Sequence, residues 1–445
     1  MRKEAINRRS FLGTTAAGFA LSPTVVRQAA AADPSGRSGP IGEAKGIFPG
    51  RVVWVHDPEA IDWQGPEDGY WWQDRHANPS CIQSMLDRAV CSVAGAVTVP
   101  EAWDKLFRYL NQTRGRGDAG WNPGEKIVIK PNWVGMIYRE GNVDAERYRF
   151  VRRENYMNTA PQMLLALLEQ LTAAGVRQEA ITVCDTLAYL VHEYHEPLAR
   201  AFPEVRYEDY AGQFGRIRVR VSDVPLYWSC RPNVEMQDFV PTCFAQADYV
   251  VNFANLKAHM GSGVTLCAKN HYGSLVRWPV QRGYYDMHPA CFSKQSGVYR
   301  ALVDLMGHEH LGGKTVLNLI DGLFSGLHPR DPVPKRMNIP PFEGHWPCSL
   351  IASQDPVAID SVGLDFLQAE WTDFPRQGGV DDYLREAALA HDPPSGTFYD
   401  PNHAEPSQRL ASLGVHEHWN NVQDKQYSRN LGASDGIELV ALTNA

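Results

Sequence analysis

Residues 247–273 read ADYVVNFANLKAHMGSGVTLCAKNHYG. The stretch begins as a strand. Tyr249, Val250, Val251 and Phe253 form a short apolar run rich in β-formers, the pattern of a strand buried on both faces. It then turns polar: Asn255, Lys257, His259, Ser262, Thr265, Lys269, Asn270 and His271 follow, spaced by Gly261 and Gly263 and closed by Gly273. A core strand that empties into such a loop is how an α/β protein builds a site, because the ends of parallel strands face a crevice. The plainer reading is a solvated loop. The mixture of His, Lys, Thr and Gly, rather than Glu and Lys, favours a site.

The flanking chain repeats the pattern. A strand over 125–130 ends in Lys130-Pro131-Asn132, where Pro131 closes the ladder because it has no amide hydrogen. Asn158 or Thr159 then reads as the N-cap of a long helix with Pro161 in its first turn. A strand over 180–184 closes on Asp185, which completes a β-α-β unit. Strands over 315–320 and 349–352 end in Asp321 and in Ser353 to Asp355, with Pro356 opening a helix capped by Asp355. Asp360, five residues further, has no capping role in this reading and is assigned to the site. If the strands are parallel, these polar tips gather on one edge. Upstream, a strand over 51–56 and helices over 80–94 and 101–110 are expected, and 200–247 reads as an insertion with short strands. The expected fold is α/β: mostly parallel sheets with flanking helices, in two Rossmann-like lobes (51–250 and 251–370) around a central cleft. A linker over 33–50 precedes them and an irregular extension over 371–445 follows.

The N-terminus reads as an address. Arg8-Arg9-Ser10-Phe11-Leu12 is a twin-arginine pattern, followed by an apolar run to Val26 and a small-residue cleavage region at Ala29 to Ala32. Residues 1–32 are therefore expected to be a signal peptide read by the twin-arginine export machinery, and the protein to be periplasmic or secreted. That route exports folded proteins, often with a cofactor inserted. Removing 1–32 takes the formal charge from −8 to −12, which excludes the basic surface a nucleic-acid binder needs. No apolar run reaches the roughly 18 residues of a membrane span. The eight cysteines form no C-x-x-C pair, so no iron–sulfur cluster is expected. His192, Glu193, His195 and Glu196 raise a zinc reading, but the spacing is not H-E-x-x-H.

Together these pieces resemble the family called domain of unknown function 362. The likeness rests on Lys130-Pro131-Asn132, Thr159-Ala160-Pro161, Ala247 to Asn252, Leu256 to His259, Val264-Thr265, Ala268 to Gly273, Ile320-Asp321-Gly322 and Gln354 to Asp360, in that order. A more distant likeness is to the nickel-pincer lactate racemases. That likeness implies Lys269 as the carrier of a tethered nickel-pincer nucleotide and His259 as an acid/base. It also expects a metal-ligating His some sixteen residues beyond the Lys, where this chain has Tyr285, with His288 nearby, and glycines where it has Leu266-Cys267.

The residues by themselves give Lys257, Lys269 and Thr265 as groups that grip a phosphate or carboxylate. His259 has the ordinary pKa of a general acid/base. Lys130, Asn132, Asn270, Asp321 and Asp360 complete the expected cofactor site, with His288 the metal candidate and a lysine-tethered nucleotide or a divalent metal as the cofactor. The expected function is an exported enzyme acting on a small anionic substrate such as a hydroxy- or carboxylic acid. The alternative is a non-catalytic protein that captures an anionic ligand or metal. Changing Arg8 and Arg9 together to Lys should abolish export, measured as the fraction of mature protein outside the cytoplasm.

Overall fold

The structure, a computed structural model, describes residues 39–137, 141–230, 237–276, 293–327, 331–371, 379–403 and 405–444. The expected signal peptide, Tyr285 and His288 lie outside them. One ten-stranded sheet organises the rest. Its strands are β1 (Arg51–His56), β2 (Ile127–Pro131), β3 (Ile181–Cys184), β4 (Arg206–Asp209), β5 (Ile217–Arg218), β6 (Tyr249–His259), β7 (Gly263–Thr265), β8 (Thr315–Gly326), β9 (Ser349–Ser353) and β10 (Glu438–Thr443). They lie in the order β10-β1-β9-β8-β6-β2-β3-β4-β5, with β7 paired to β6. The pairings of β9 and β7 are antiparallel and all others in this sheet are parallel. The fold is thus the α/β, mostly parallel architecture read from the sequence, and strands from 51–250 and 251–370 share one sheet.

The apolar run that opens β6 sits near the middle of this sheet. Tyr249, Val251 and Phe253 face one core and Val250, Ala254 and Leu256 the other, the period-2 alternation of a strand covered on both sides. Helices α1 (Pro79–Ala94), α2 (Val99–Thr113), α3 (Pro161–Ala173) and α4 (His192–Ala201) contribute to the first core. Helices α5 (Thr242–Gln246), α6 (Cys267–Asn270), α7 (Ala301–Gly307), α8 (Pro356–Glu370) and α9 (Asp382–Ala388) contribute to the second. Local signals set the ends. Asn78 accepts the Cys81 amide at 3.2 Å ahead of Pro79, and α1 stops at Gly95 in the left-handed region, φ 59°.

Three expectations are corrected. Neither Asn158 nor Thr159 caps α3, whose N-cap is Ala160. Long-range partners take those side chains instead: Asn158 accepts the Gly135 amide at 2.8 Å, and Thr159 donates to the Phe253 carbonyl at 3.1 Å and accepts the Asn132 amide at 2.7 Å. Second, Asp355 does not join the other strand tips. Because β9 is antiparallel, Ser353 pairs with Asn318 near the start of β8, at the opposite edge from Asp321. Third, the expected irregular tail contains α9, a two-residue strand Val415–His416 that pairs with Ile41–Gly42, and β10, which extends the sheet alongside β1.

Asp355 does cap α8, as read. Its Oδ1 accepts the amides of Val357 and Ala358 at 3.0 and 2.8 Å, and its Oδ2 those of Lys45 and Val415 at 2.8 and 3.2 Å. Burial pushes its carboxyl up to about 6 despite these bonds. Losing it orphans four amides in three segments, so Asp355→Ala should cost more than the ~1 kcal/mol of an ordinary cap. The expected loss is about 2–3 kcal/mol by urea denaturation at neutral pH.

Candidate functional site

Sheet order reverses at β2. The chain leaves β2 for β3 on one side, while β6, on its other side, leads on to β8. This is a topological switch point, where a parallel sheet opens a crevice at the carboxyl ends of its strands. Lys130 lies near the end of β2 and Asn132 just past it, Asp185 follows β3, and Asn255 and Lys257 lie near the end of β6.

The structure brings Lys130, Asn132 and Asn270 together with Asp185, and most of their polar atoms bond to one another. Lys130 Nζ lies 3.1 Å from Asp185 Oδ2 and donates to Asn270 Oδ1 at 3.3 Å. Asn270 Oδ1 also accepts from Asn132 Nδ2 at 3.0 Å, while its Nδ2 donates to the Lys130 carbonyl at 2.9 Å and to Asn252 Oδ1 at 2.8 Å. Asp185 takes the amides of Trp133 and Leu187, each at 3.2 Å. Gly273 is pressed against this cluster: a Cβ there would meet Lys130 Nζ at 2.9 Å and Asp185 Oδ1 at 3.1 Å. The cluster therefore fixes α6 and the chain that follows it.

Lys257 and Lys269 lie in the same crevice as Lys130. Lys257 is 1% exposed, and its Nζ donates to the Met157 carbonyl at 2.9 Å. Burial, then the field of Lys269, pulls its pKa down to about 7; Asp185 and Asp321 oppose the shift. Lys269 is 8% exposed, with Nζ 4.4 Å from the centre of the Tyr272 ring. Thr265 stands directly opposite Lys257 on the β6–β7 pair. Thr265 Oγ1, Asn255 Oδ1 and Asn132 Oδ1 are buried polar atoms with no hydrogen-bond partner among the described residues. Buried polar atoms are rarely left so.

The remaining predicted residues hold the frame. Asp321 Oδ2 accepts the Ala160 amide at 2.8 Å and Oδ1 the Leu323 amide at 3.0 Å; burial pushes its carboxyl up to about 6. Asp360 takes no part in capping its own helix, as read; its carboxylate is taken up by the start of α6 instead. Its Oδ1 and Oδ2 accept the amides of Cys267 and Ala268 at 2.7 and 3.0 Å, at the start of α6, and Tyr383 donates to Oδ2 at 3.1 Å. His259 Nδ1 accepts the amides of Gly261 and Ser262 at 2.9 and 3.1 Å, which commits that nitrogen to the β6–β7 turn. Gly263 closes the turn at φ 83°, where a Cβ would strike Val380. His271 receives Asn252 Nδ2 on Nε2 at 3.1 Å, and burial holds it neutral, near 3. Sequence reading missed the Tyr156 ring and the Met157 carbonyl beside Lys257; position ahead of the α3 start is their only signal.

Two groups of His, Cys, Asp and Glu among the described residues have ligand atoms all within 4.8 Å of one another: Cys184, Glu208 and Cys243, and Asp381, His416 and His418. His192 and His195 belong to neither. A cavity of about 430 Å³, lined by Arg206, Glu208, Arg218 and Cys243 among others, lies beside the first group, away from the lysines.

With this geometry in place, the family profile described as Domain of unknown function (DUF362) matches residues 127–365. That is more than half of the chain, so the chain belongs to this family. The match spans the switch point and both lysines and ends before α9. No curated protein matches the chain.

A lysine depressed to about 7 when folded stays protonated to about 10.4 when unfolded. Its cost to stability is therefore full below pH 7 and is relieved as pH rises from 7 to about 10.4. Lys257→Met should raise the unfolding free energy by roughly 2–5 kcal/mol at pH 6, and the gain should vanish near pH 10.5. Urea titrations at several pH values measure this.

Proposed function

We propose that the chain is an exported enzyme that holds a small hydroxy- or carboxylic-acid substrate at the Lys257–Lys269 pair. Lys257 is the group that takes up and releases a proton. What supports this reading is one observation: two buried lysines at a parallel sheet's switch point, one with its pKa near 7, beside polar atoms of Asn255 and Thr265 that have no partner among the described residues. A neutral amine in a desolvated site is a competent base, and its conjugate cation holds a carboxylate. A lysine-tethered nucleotide fits this turn poorly. Leu266 and Cys267 fill the space expected of glycines, and Asp360 occupies the amides of Cys267 and Ala268. The proposal therefore needs no group attached at Lys269.

An arriving carboxylate restores the proton that burial and Lys269 remove. Binding above pH 7 is thus coupled to proton uptake, and affinity should fall about tenfold per pH unit between pH 7.5 and 9. Calorimetry with oxalate, lactate and phosphate at pH 8, in buffers of different ionisation enthalpy, tests this. Uptake of close to one proton is expected, lost with the binding in Lys257→Met. Affinity that is independent of pH, or unchanged in Lys257→Met, would overturn the site. If lactate binds but exchanges no α-hydrogen with D2O, and is recovered unchanged, the protein is a non-catalytic binder.

A further inference from the structure

We propose that Asp381, His416 and His418 form a binding site for a divalent transition-metal ion, outside the residues matched to the family and separate from the lysine crevice. His416 ends the short strand Val415–His416, and His418 follows two residues further on. The ring centroids are 4.9 Å apart. His416 Nε2 and His418 Nε2 lie 3.9 and 3.7 Å from Asp381 Oδ2. Ligands at about 2.1 Å around a tetrahedral ion are about 3.4 Å apart, so small side-chain adjustments close the set.

The hydrogen bonds behind the rings aim them. Ser361 donates its one hydroxyl hydrogen to the Val357 carbonyl at 2.8 Å, so at 2.9 Å it accepts from His416 Nδ1. The proton is then on Nδ1, and Nε2 presents a lone pair toward the Asp381 carboxylate. His416 is 2% exposed, and its Nε2 has no hydrogen-bond partner among the described residues. Buried His416 Nε2 and the part-buried Asp381 carboxylate are two acceptors facing one another, the arrangement that a cation between them resolves. His418 Nδ1 lies 2.6 Å from Asp365 Oδ1, the carboxylate–histidine pairing that orients a metal-binding imidazole. Asp365 is itself held by the Trp419 amide at 3.0 Å and the Tyr427 hydroxyl at 2.8 Å. Arg385 Nε donates to Asp381 Oδ2 at 3.0 Å, leaving that carboxylate lone pairs for an ion.

Two imidazoles and a carboxylate suit zinc or iron(II) rather than calcium or magnesium. The His418 side chain is 38% exposed, so solvent reaches the site and a fourth position is open to water.

The test uses the mature full chain, stripped with chelator. Zn2+ is titrated by calorimetry, and Co2+ by its visible d–d absorption. One equivalent of each should bind, with melting temperature rising on zinc addition. His418→Asn, at a half-exposed position, and Asp381→Asn should each lose stoichiometric binding while keeping the wild-type circular dichroism. Asp365→Asn should weaken binding about 10–100-fold. Failure of the wild-type chain to take up either metal overturns the proposal. So does a metal retained in His418→Asn and Asp381→Asn; if that metal is lost in Cys243→Ser, it belongs to the thiol group.

Discussion

The buried ion pair between Lys130 and Asp185 is the constraint on which the crevice depends. Two charges taken out of water cost several kcal/mol each unless their remaining hydrogen bonds are met. Here they are met from three parts of the chain. Asn270 reaches in from α6, and the Trp133 and Leu187 amides close on the carboxylate. Completing the pair therefore fixes α6 against the ends of β2 and β3. Asp360 fixes the same short helix from the other side through the Cys267 and Ala268 amides. Lys269 is carried on α6 between these two anchors. Its position is a consequence of charge satisfaction elsewhere.

Lys257 presents the opposite case. Lys130 has a carboxylate at 3.1 Å, whereas Lys257 Nζ donates to the neutral Met157 carbonyl, and burial dominates its pKa. Two lysines on neighbouring strands of one crevice thus have different partners. Among the described residues a carboxylate stands in direct contact with Lys130, while Asp185 and Asp321 act on Lys257 only through their field. A fold that leaves a buried amine in this state gives up stability, and the proposed function gives that cost a use.

Much of this was legible in the sequence. The β-rich run at 249–253, followed by polar residues and glycines, gave the central strand and the edge where polar groups collect. Asp355-Pro356 gave the α8 cap, since Asp before Pro encodes a local geometry. What was not legible depends on distant partners. Nothing near Asn158 or Thr159 reveals that the chain leaving β2 and strand β6 will claim their side chains. The direction of β9, which moves Asp355 to the far edge, is set by pairing with β8 and β1, not by its own residues. Asp360 looked free because its amide partners lie 92 and 93 residues away. His416-Glu417-His418 did carry a local signal, two imidazoles two residues apart whose rings lie 4.9 Å from each other. Its value emerges only when Asp381 and Asp365 are brought to it.

Helix α8 shows how the family region and the tail are joined. Asp355, Asp360 and Asp365 recur every five residues, and each step turns the helix by about 140°, so the three carboxylates leave it in different directions. Asp355 binds the Lys45 and Val415 amides, Asp360 the start of α6 and the Tyr383 hydroxyl, and Asp365 His418, Trp419 and Tyr427. Each is buried and each is satisfied by groups outside its own turn or at its cap. A single helix thereby sets the lysine-bearing loop on one side and the histidine-bearing tail on another. The two candidate sites share no residue, yet they share the element that positions them, so α8 must be docked before either site can be complete.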